Sequence, residues 1–210
     1  MPKRNNISMS VIRRLPRYHR FLRHLRNKGV TRISSTELSA KLGLTASQIR
    51  QDLNCFGGFG QQGYGYNVEK LKEELANILG ITQMHTAIML GVGNIGRALL
   101  MNFDFIGSGF NLTAAFDASS DVVGSRIGDY VVRDISELPQ YMEEQRPEIA
   151  VLTLPGAQAR EMASFLAKNG IRGLWNFTNE DLYREKLNIP VEDVHFSDSL
   201  MTLCFSISHE

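Results

Sequence analysis

The sequence predicts an α/β protein in two parts: a small, mainly helical N-terminal unit and a larger unit in which strands and helices alternate around a parallel sheet. Three observations carry this. Charge divides the 210-residue chain: residues 1–66 hold twelve Lys or Arg against two acids, Glu37 and Asp52, a balance of +10, while residues 67–210 carry −9. Apolar residues recur at helical spacing in the first third and later condense into short runs separated by helical stretches. One of those runs leads directly into Gly91-Val92-Gly93-Asn94-Ile95-Gly96.

The near-neutral total of +1 conceals the charge asymmetry. Only the N-terminal third suits a polyanion, where each neutralised phosphate releases counterions. Cys55 and Cys204 lie far apart with no CxxC neighbour, so neither a disulfide framework nor a zinc site is expected, and a reducing cytoplasm fits. The basic start lacks the apolar core of a signal peptide. Nothing approaches the ~20 apolar residues of a membrane span.

Within an N-terminal domain set at residues 1–80, Tyr18, Phe21, Leu22 and Leu25 form one buried helical stripe. Pro16 can start that helix and Gly29 stands where a C-terminal cap is expected. Arg17, Arg20, Arg23 and Arg26 fall mostly outside the stripe, and Arg14 and Arg17 are candidate phosphate contacts. Ser34 with Glu37 reads as a capping box for a short helix that stops at Gly43, and Thr45 with Gln48 repeats the device. Two short helices joined across Gly43 to Thr45 make a helix-turn-helix. In the second, Ile49, Leu53 and Phe56 point inward, leaving Ser47, Gln48, Arg50, Gln51 and Asn54 for base edges in a major groove. The glycine-rich, aromatic run from Gly57 to Tyr66 predicts a tight hairpin, a wing with Gln61 and Gln62 at its tip as DNA contacts. Val68, Leu71, Leu75, Ile78 and Leu79 then give an amphipathic helix ending at Gly80.

The second domain, residues 81–194, opens with strand 86–90 feeding the glycine loop, and a helix continues through Ala98, Leu99 and Leu100. Strand, GxGxxG turn and helix together form a Rossmann-type dinucleotide site. Gly91 allows the tight turn, Gly93 lets backbone amides reach a pyrophosphate, and Gly96 lets helix and strand pack closely. Val92, Asn94 and Ile95 complete the loop at a helix N-terminus that favours anions. Asp117 ends a second strand, 112–116, where its carboxylate can bind both ribose hydroxyls and repel an added phosphate, so NAD(H) is favoured over NADP or coenzyme A. Further strands are expected at 149–154, ending at Pro155 beside the adenosine, and at 173–177, after a helix over 159–169. No second substrate domain or acid–base group at the nicotinamide is evident, so no catalytic residue is assigned and the cofactor reads as a signal. The alternatives are a small NAD-dependent oxidoreductase with a basic appendage and a regulator binding another nucleotide, such as coenzyme A, in the same fold.

Several runs are specific to one family: Arg14-Leu15-Pro16 to Tyr18, Gly29-Val30, Ser34 to Leu38, Gln48 to Leu53, and Phe59-Gly60 through Gly63 and Gly65-Tyr66. With the glycine loop, they make the chain resemble the redox-sensing transcriptional repressor family Rex over nearly its whole length. That resemblance implies a homodimer that binds an inverted-repeat operator in double-stranded DNA and is released by NADH. It also implies a C-terminal segment, 195–210, whose helix over 200–207 is exchanged between subunits, with Asp198 before it sensing the nicotinamide ring. Phe103 stands near the place where the family commonly has a ring-contacting Tyr, and Ser199 where it often has a bulky apolar residue.

Overall fold

The computed structural model describes residues 7–61, 64–182 and 186–209. It divides into two compact units, Met1–Thr82 and Gln83–Glu210.

The first unit carries α1 (Met9–Ile12), α2 (Leu15–Asn27), β1 (Arg32–Ile33), α3 (Ser35–Leu42), α4 (Ala46–Asn54), β2 (Gly60–Gln61), β3 (Gly65–Asn67) and α5 (Val68–Leu79). The expected stripe of α2 lies inward, with Tyr18 and Leu22 buried and Phe21 and Leu25 packed against the same core. Leu38 and Leu42 of α3, Ile49 and Leu53 of α4, and Leu71 and Leu75 of α5 complete that core. The Ser34 capping box closes fully: Ser34 Oγ accepts from Glu37 N–H at 3.1 Å, and Glu37 accepts from Ser34 N–H at 2.8 Å. At Thr45 only half of the expected device forms. Its hydroxyl accepts from Gln48 N–H at 3.1 Å, but the Gln48 amide turns down the helix to Asp52. β1, β3 and β2 make an antiparallel sheet in that spatial order, with β2 and β3 as the wing. Gly65 is required there: its φ is +69°, and a Cβ would stand 2.6 Å from the Ile33 carbonyl oxygen.

The second unit is a seven-stranded sheet ordered β10-β9-β8-β4-β5-β7-β6. Its strands are β4 (His85–Leu90), β5 (Phe110–Asp117), β6 (Arg126–Ile127), β7 (Tyr130–Asp134), β8 (Ile149–Leu152), β9 (Gly173–Asn176) and β10 (Val191–Asp193). Its helices are α6 (Asn94–Asn102), α7 (Leu138–Gln145), α8 (Gly156–Lys168) and α9 (Phe196–Ser208). All pairings are parallel except that of β6 with β7. From β4 the chain steps outward to β5 and β7, then returns to β8 on the other side of β4 and continues to β9 and β10. The order therefore reverses between β4 and β8, and the crevice beyond their C-terminal ends is where such sheets hold ligands. The interiors of β4 and β8 are buried on both faces, as their unbroken apolar runs predict.

Three expected boundaries shift. The strand expected over 149–154 stops at Leu152, and α8 begins at Gly156 rather than at residue 159. The terminal helix begins at Phe196, with His195 at its N-cap, so Asp198 lies inside its first turn and not before the helix. β6, β7, α7 and β10 were not individually expected. An aromatic group lines one layer of this unit: Phe103 packs on Phe105 (4.8 Å between centroids) and Trp175 (5.2 Å), and Trp175 on Phe177 (4.5 Å). None of the residues of α9 is buried.

Candidate dinucleotide site and nucleic-acid interface

The glycine loop is built by three different constraints. Gly91 has φ +92° and lies so close to β8 that a Cβ would stand 2.7 Å from the Thr153 carbonyl oxygen. A Cβ on Gly96 would collide with the Gly91 carbonyl oxygen and sit 2.9 Å from Thr153 Oγ1. Gly93 differs: nothing lies within 4 Å of the position its Cβ would take, so the surrounding protein does not require a glycine there. Thr153 was not anticipated. Its hydroxyl donates to the Gly91 carbonyl at 2.5 Å, tying the loop to the end of β8.

Asp117 ends β5 beside the loop, where Oδ2 accepts from Val92 N–H at 2.6 Å and Oδ1 from Ser119 N–H at 2.8 Å. The carboxylate is thereby oriented while remaining partly exposed. Gly93, Asn94 and Ile95 are exposed, and no side chain caps the first turn of α6. Its free amides and the helix dipole make that turn suited to an anion. Pro155 is exposed at the N-cap of α8, which is likewise uncapped by a side chain, beyond the adjacent strand. The expected residues Gly91 to Gly96, Asp117 and Pro155 thus gather along the C-terminal ends of β4, β5 and β8. Phe103 is partly buried, with its ring packed on Phe105 and Trp175. Asp198 is exposed on α9. Asp181, Asp193 and His195 hold donor atoms within 4.8 Å of one another and are the grouping able to take a metal ion among the described residues, although His195 Nε2 already lies 3.1 Å from Asp181.

In the first unit, Ser47, Arg50, Gln51 and Asn54 are exposed along α4, with Arg50 Nη1 donating to Ser35 Oγ at 2.9 Å. Arg17 is exposed on α2. Arg14 corrects the reading of a free phosphate contact. Its Nε and Nη2 grip both oxygens of Asp52 at 2.6 and 2.7 Å, because a buried carboxylate demands a cation and Arg14 is the one at hand. Burial pushes the Asp52 carboxyl up, but hydrogen bonds from Arg14, Tyr18 and Gln48 and the Arg14 charge outweigh it and hold the group below the usual carboxylate range. The bond to Asp52 in turn raises the Arg14 guanidinium, and burial together with its own hydrogen bond to Asp52 raises the Tyr18 hydroxyl. Both acids of the basic region are therefore engaged, Glu37 in its capping box and Asp52 under α4. Gln61 lies in β2, paired with Gly65, while Gln62 falls outside the described residues.

Residues 6–54 match the family model described as "Putative DNA-binding protein N-terminus", and residues 82–180 the model described as "CoA binding domain". The redox-sensing transcriptional repressor Rex of Clostridium acetobutylicum is 49% identical over 97% of this chain and 94% of its own length. That of Clostridium botulinum is 50% identical over 97% and 96%. The chain belongs to the Rex family. Among solved structures, the Rex-family repressor RSP in complex with beta-NAD+ and operator DNA superposes with a TM-score of 0.88 at 46% identity, covering 97% of this chain and 94% of that one. RSP in complex with beta-NADH gives 0.87 at 43% identity, covering 97% and 95%. The Rex assignment thus agrees with a DNA-binding N-terminal domain followed by a Rossmann-like domain. Among the described residues no helix is long and apolar enough to cross a membrane.

Proposed function

We propose that this Rex protein is a transcriptional repressor that reads the NADH/NAD+ ratio: it binds an inverted-repeat operator, NAD+ favours the bound form and NADH releases it. The observation that carries the nucleotide half is Gly93. Gly91 and Gly96 are needed by the protein's own packing, whereas Gly93 faces open space and is explained by the backbone approach of a pyrophosphate. Asp117 supports NAD(H) over coenzyme A, despite the description of the matching family model, because its oriented carboxylate suits unmodified ribose hydroxyls and repels a phosphate on them. The complexes of the Rex-family repressor RSP with beta-NAD+ and with beta-NADH support the same pair of ligands.

The DNA half rests on α4 and its basic surroundings, with Ser47, Gln48, Arg50, Gln51 and Asn54 toward base edges, Arg17 toward phosphate, and Gln61 and Gln62 on the wing. The protein acts as a cytoplasmic homodimer and performs no hydride transfer of its own. α9 supplies the subunit contact, since Phe196, Leu200, Met201, Leu203, Phe205 and Ile207 are all more than half exposed on it. Asp198 in its first turn is the carboxylate that distinguishes the charged oxidised ring from the neutral reduced one. Two unit charges ~4 Å apart at an effective dielectric near 20 interact by about 4 kcal/mol, and a useful switch needs a coupling of only about 1–3 kcal/mol.

The test is fluorescence anisotropy on an inverted-repeat duplex at fixed salt, with NADH and NAD+ titrated separately. Release by NADH alone is expected, and Asp198→Ala should narrow the difference between the two nucleotides. Equal responses to both would overturn the sensing role while leaving the DNA-binding role standing.

A further inference from the structure

Asp52 is the only acid on α4 and is fully buried. Its oxygens each accept two hydrogen bonds. Oδ2 takes Arg14 Nε and the Tyr18 hydroxyl, each at 2.6 Å, and Oδ1 takes Arg14 Nη2 at 2.7 Å and Gln48 Nε2 at 2.8 Å. Three of these bonds come from the start of α2 and fasten it to α4. The fourth is different in kind. Gln48 lies one turn before Asp52 on the same helix, so this bond joins no two elements; what it does is immobilise a side chain near the N-terminal end of the recognition helix, where base contacts are made.

A carboxylate only accepts hydrogen bonds, whereas a glutamine amide has a donating end and an accepting end. Asp52 therefore attracts the nitrogen of Gln48 and repels its oxygen. The amide is held nitrogen-inward, leaving Oε1 and the second N–H for an outside partner. Adenine presents in the major groove an N7 acceptor beside an N6–H donor, and glutamine meets both with its oxygen and one N–H. Reversing A·T to T·A reverses that pair of groups across the groove. A freely flipping amide can follow the reversal, but one pinned by Asp52 cannot.

We propose that Asp52 is a positioning residue for operator readout: by fixing the flip of the Gln48 amide, it makes α4 distinguish A·T from T·A at one base pair in each half-site. This rests on the operator-binding reading above and extends it to the sequence that is read.

The wild-type protein would first enrich a preferred duplex from a library of inverted repeats with randomised half-sites. Each symmetric base pair is then reversed in turn, with affinity measured by anisotropy at several salt concentrations. One position is expected at which reversal of A·T weakens binding about tenfold, within what a bidentate pair discriminates. Gln48→Ala should flatten that position. Asp52→Asn, whose amide can offer Gln48 either a donor or an acceptor, should flatten or reverse it while leaving the salt dependence, which reports phosphate contacts, unchanged. Tyr18→Phe removes a bond to Asp52 without touching Gln48 and should keep the preference. An Asp52→Asn protein that retains the wild-type preference, or loses affinity for all duplexes equally, overturns the inference. Should Asp52→Asn fail to fold, nitrogen-15 NMR of the DNA-free wild type decides: the Gln48 amide, assigned by its absence in Gln48→Ala, is expected to show restricted motion and slowed proton exchange, and free rotation overturns the inference. A wild-type protein that enriches no duplex overturns the operator reading itself.

Discussion

At Gly96 a single methyl group would have nowhere to go, since the Gly91 carbonyl and the Thr153 hydroxyl already occupy the space. Gly96→Ala should cost about 1–3 kcal/mol, the usual range for overpacking, and weaken NADH binding, both measurable by denaturation and calorimetry. Gly93→Ala should leave stability almost unchanged while reducing affinity, because its Cβ meets no protein atom. Asp117→Ala should weaken NADH binding by about tenfold or more, since hydrogen bonds to a charged group contribute ~1.5–3 kcal/mol, and should narrow discrimination against NADPH. Asp52 makes a prediction in pH. Its carboxyl is held below the ordinary value near 4, so the stability it confers is complete above about pH 4 and is lost as pH falls through the lower folded-state range. Urea unfolding at pH 7 and pH 3 should show that loss in the wild type, and Asp52→Asn should be less stable at neutral pH and less sensitive to acid. The glycines and Asp117 were legible because their spacing encodes backbone geometry. Arg14 was misread because sequence shows a cation without its partner: Asp52 lies 38 positions away, and only the fold brings them together.

At the scale of elements, capping accounts for both success and partial failure. Ser34 and Glu37 form the full reciprocal box, whereas at Thr45 the hydroxyl acts alone because Asp52 outcompetes the backbone for the Gln48 amide. Thr45→Ala should destabilise the N-terminal unit by about 1 kcal/mol, read by thermal unfolding, and fray the first turn of α4. The central strands were legible from unbroken apolar runs, since burial on both faces leaves no polar alternation to confuse them. β6 and β10 are two and three residues long at the edges of the sheet, too short for any period to show. α7 and α8 both begin beside prolines, and in α8 the N-cap Pro155 and first residue Gly156 concealed the true start.

For the whole molecule, the exposed apolar face of α9 sets the expectation. Residues with such side chains contribute most when a second surface removes them from water. Truncation before Phe196 should convert a dimer to monomers in sedimentation equilibrium and sharply reduce affinity for an inverted repeat, with binding to a single half-site less affected. A truncated protein that still sediments as a dimer would remove α9 from the interface. The two-part organisation was legible from charge together with the change in apolar spacing, although the charge division at residue 66 leaves α5 on the acidic side of a unit boundary that falls after Thr82. What sequence could not supply was the inward traffic of polar groups, in which Thr153, Asp52 and Asn176 hold loops and helices that other residues use.

Trp175, packed between Phe103 and Phe177, is the only tryptophan in the chain. Indole emits in the band where dihydronicotinamide absorbs and the oxidised ring does not. The protein therefore contains its own optical donor. Selective excitation of Trp175 should lose intensity by energy transfer when NADH occupies the glycine loop and should lose far less with NAD+, so occupancy by the reduced form can be followed without a label and in the presence of excess oxidised nucleotide.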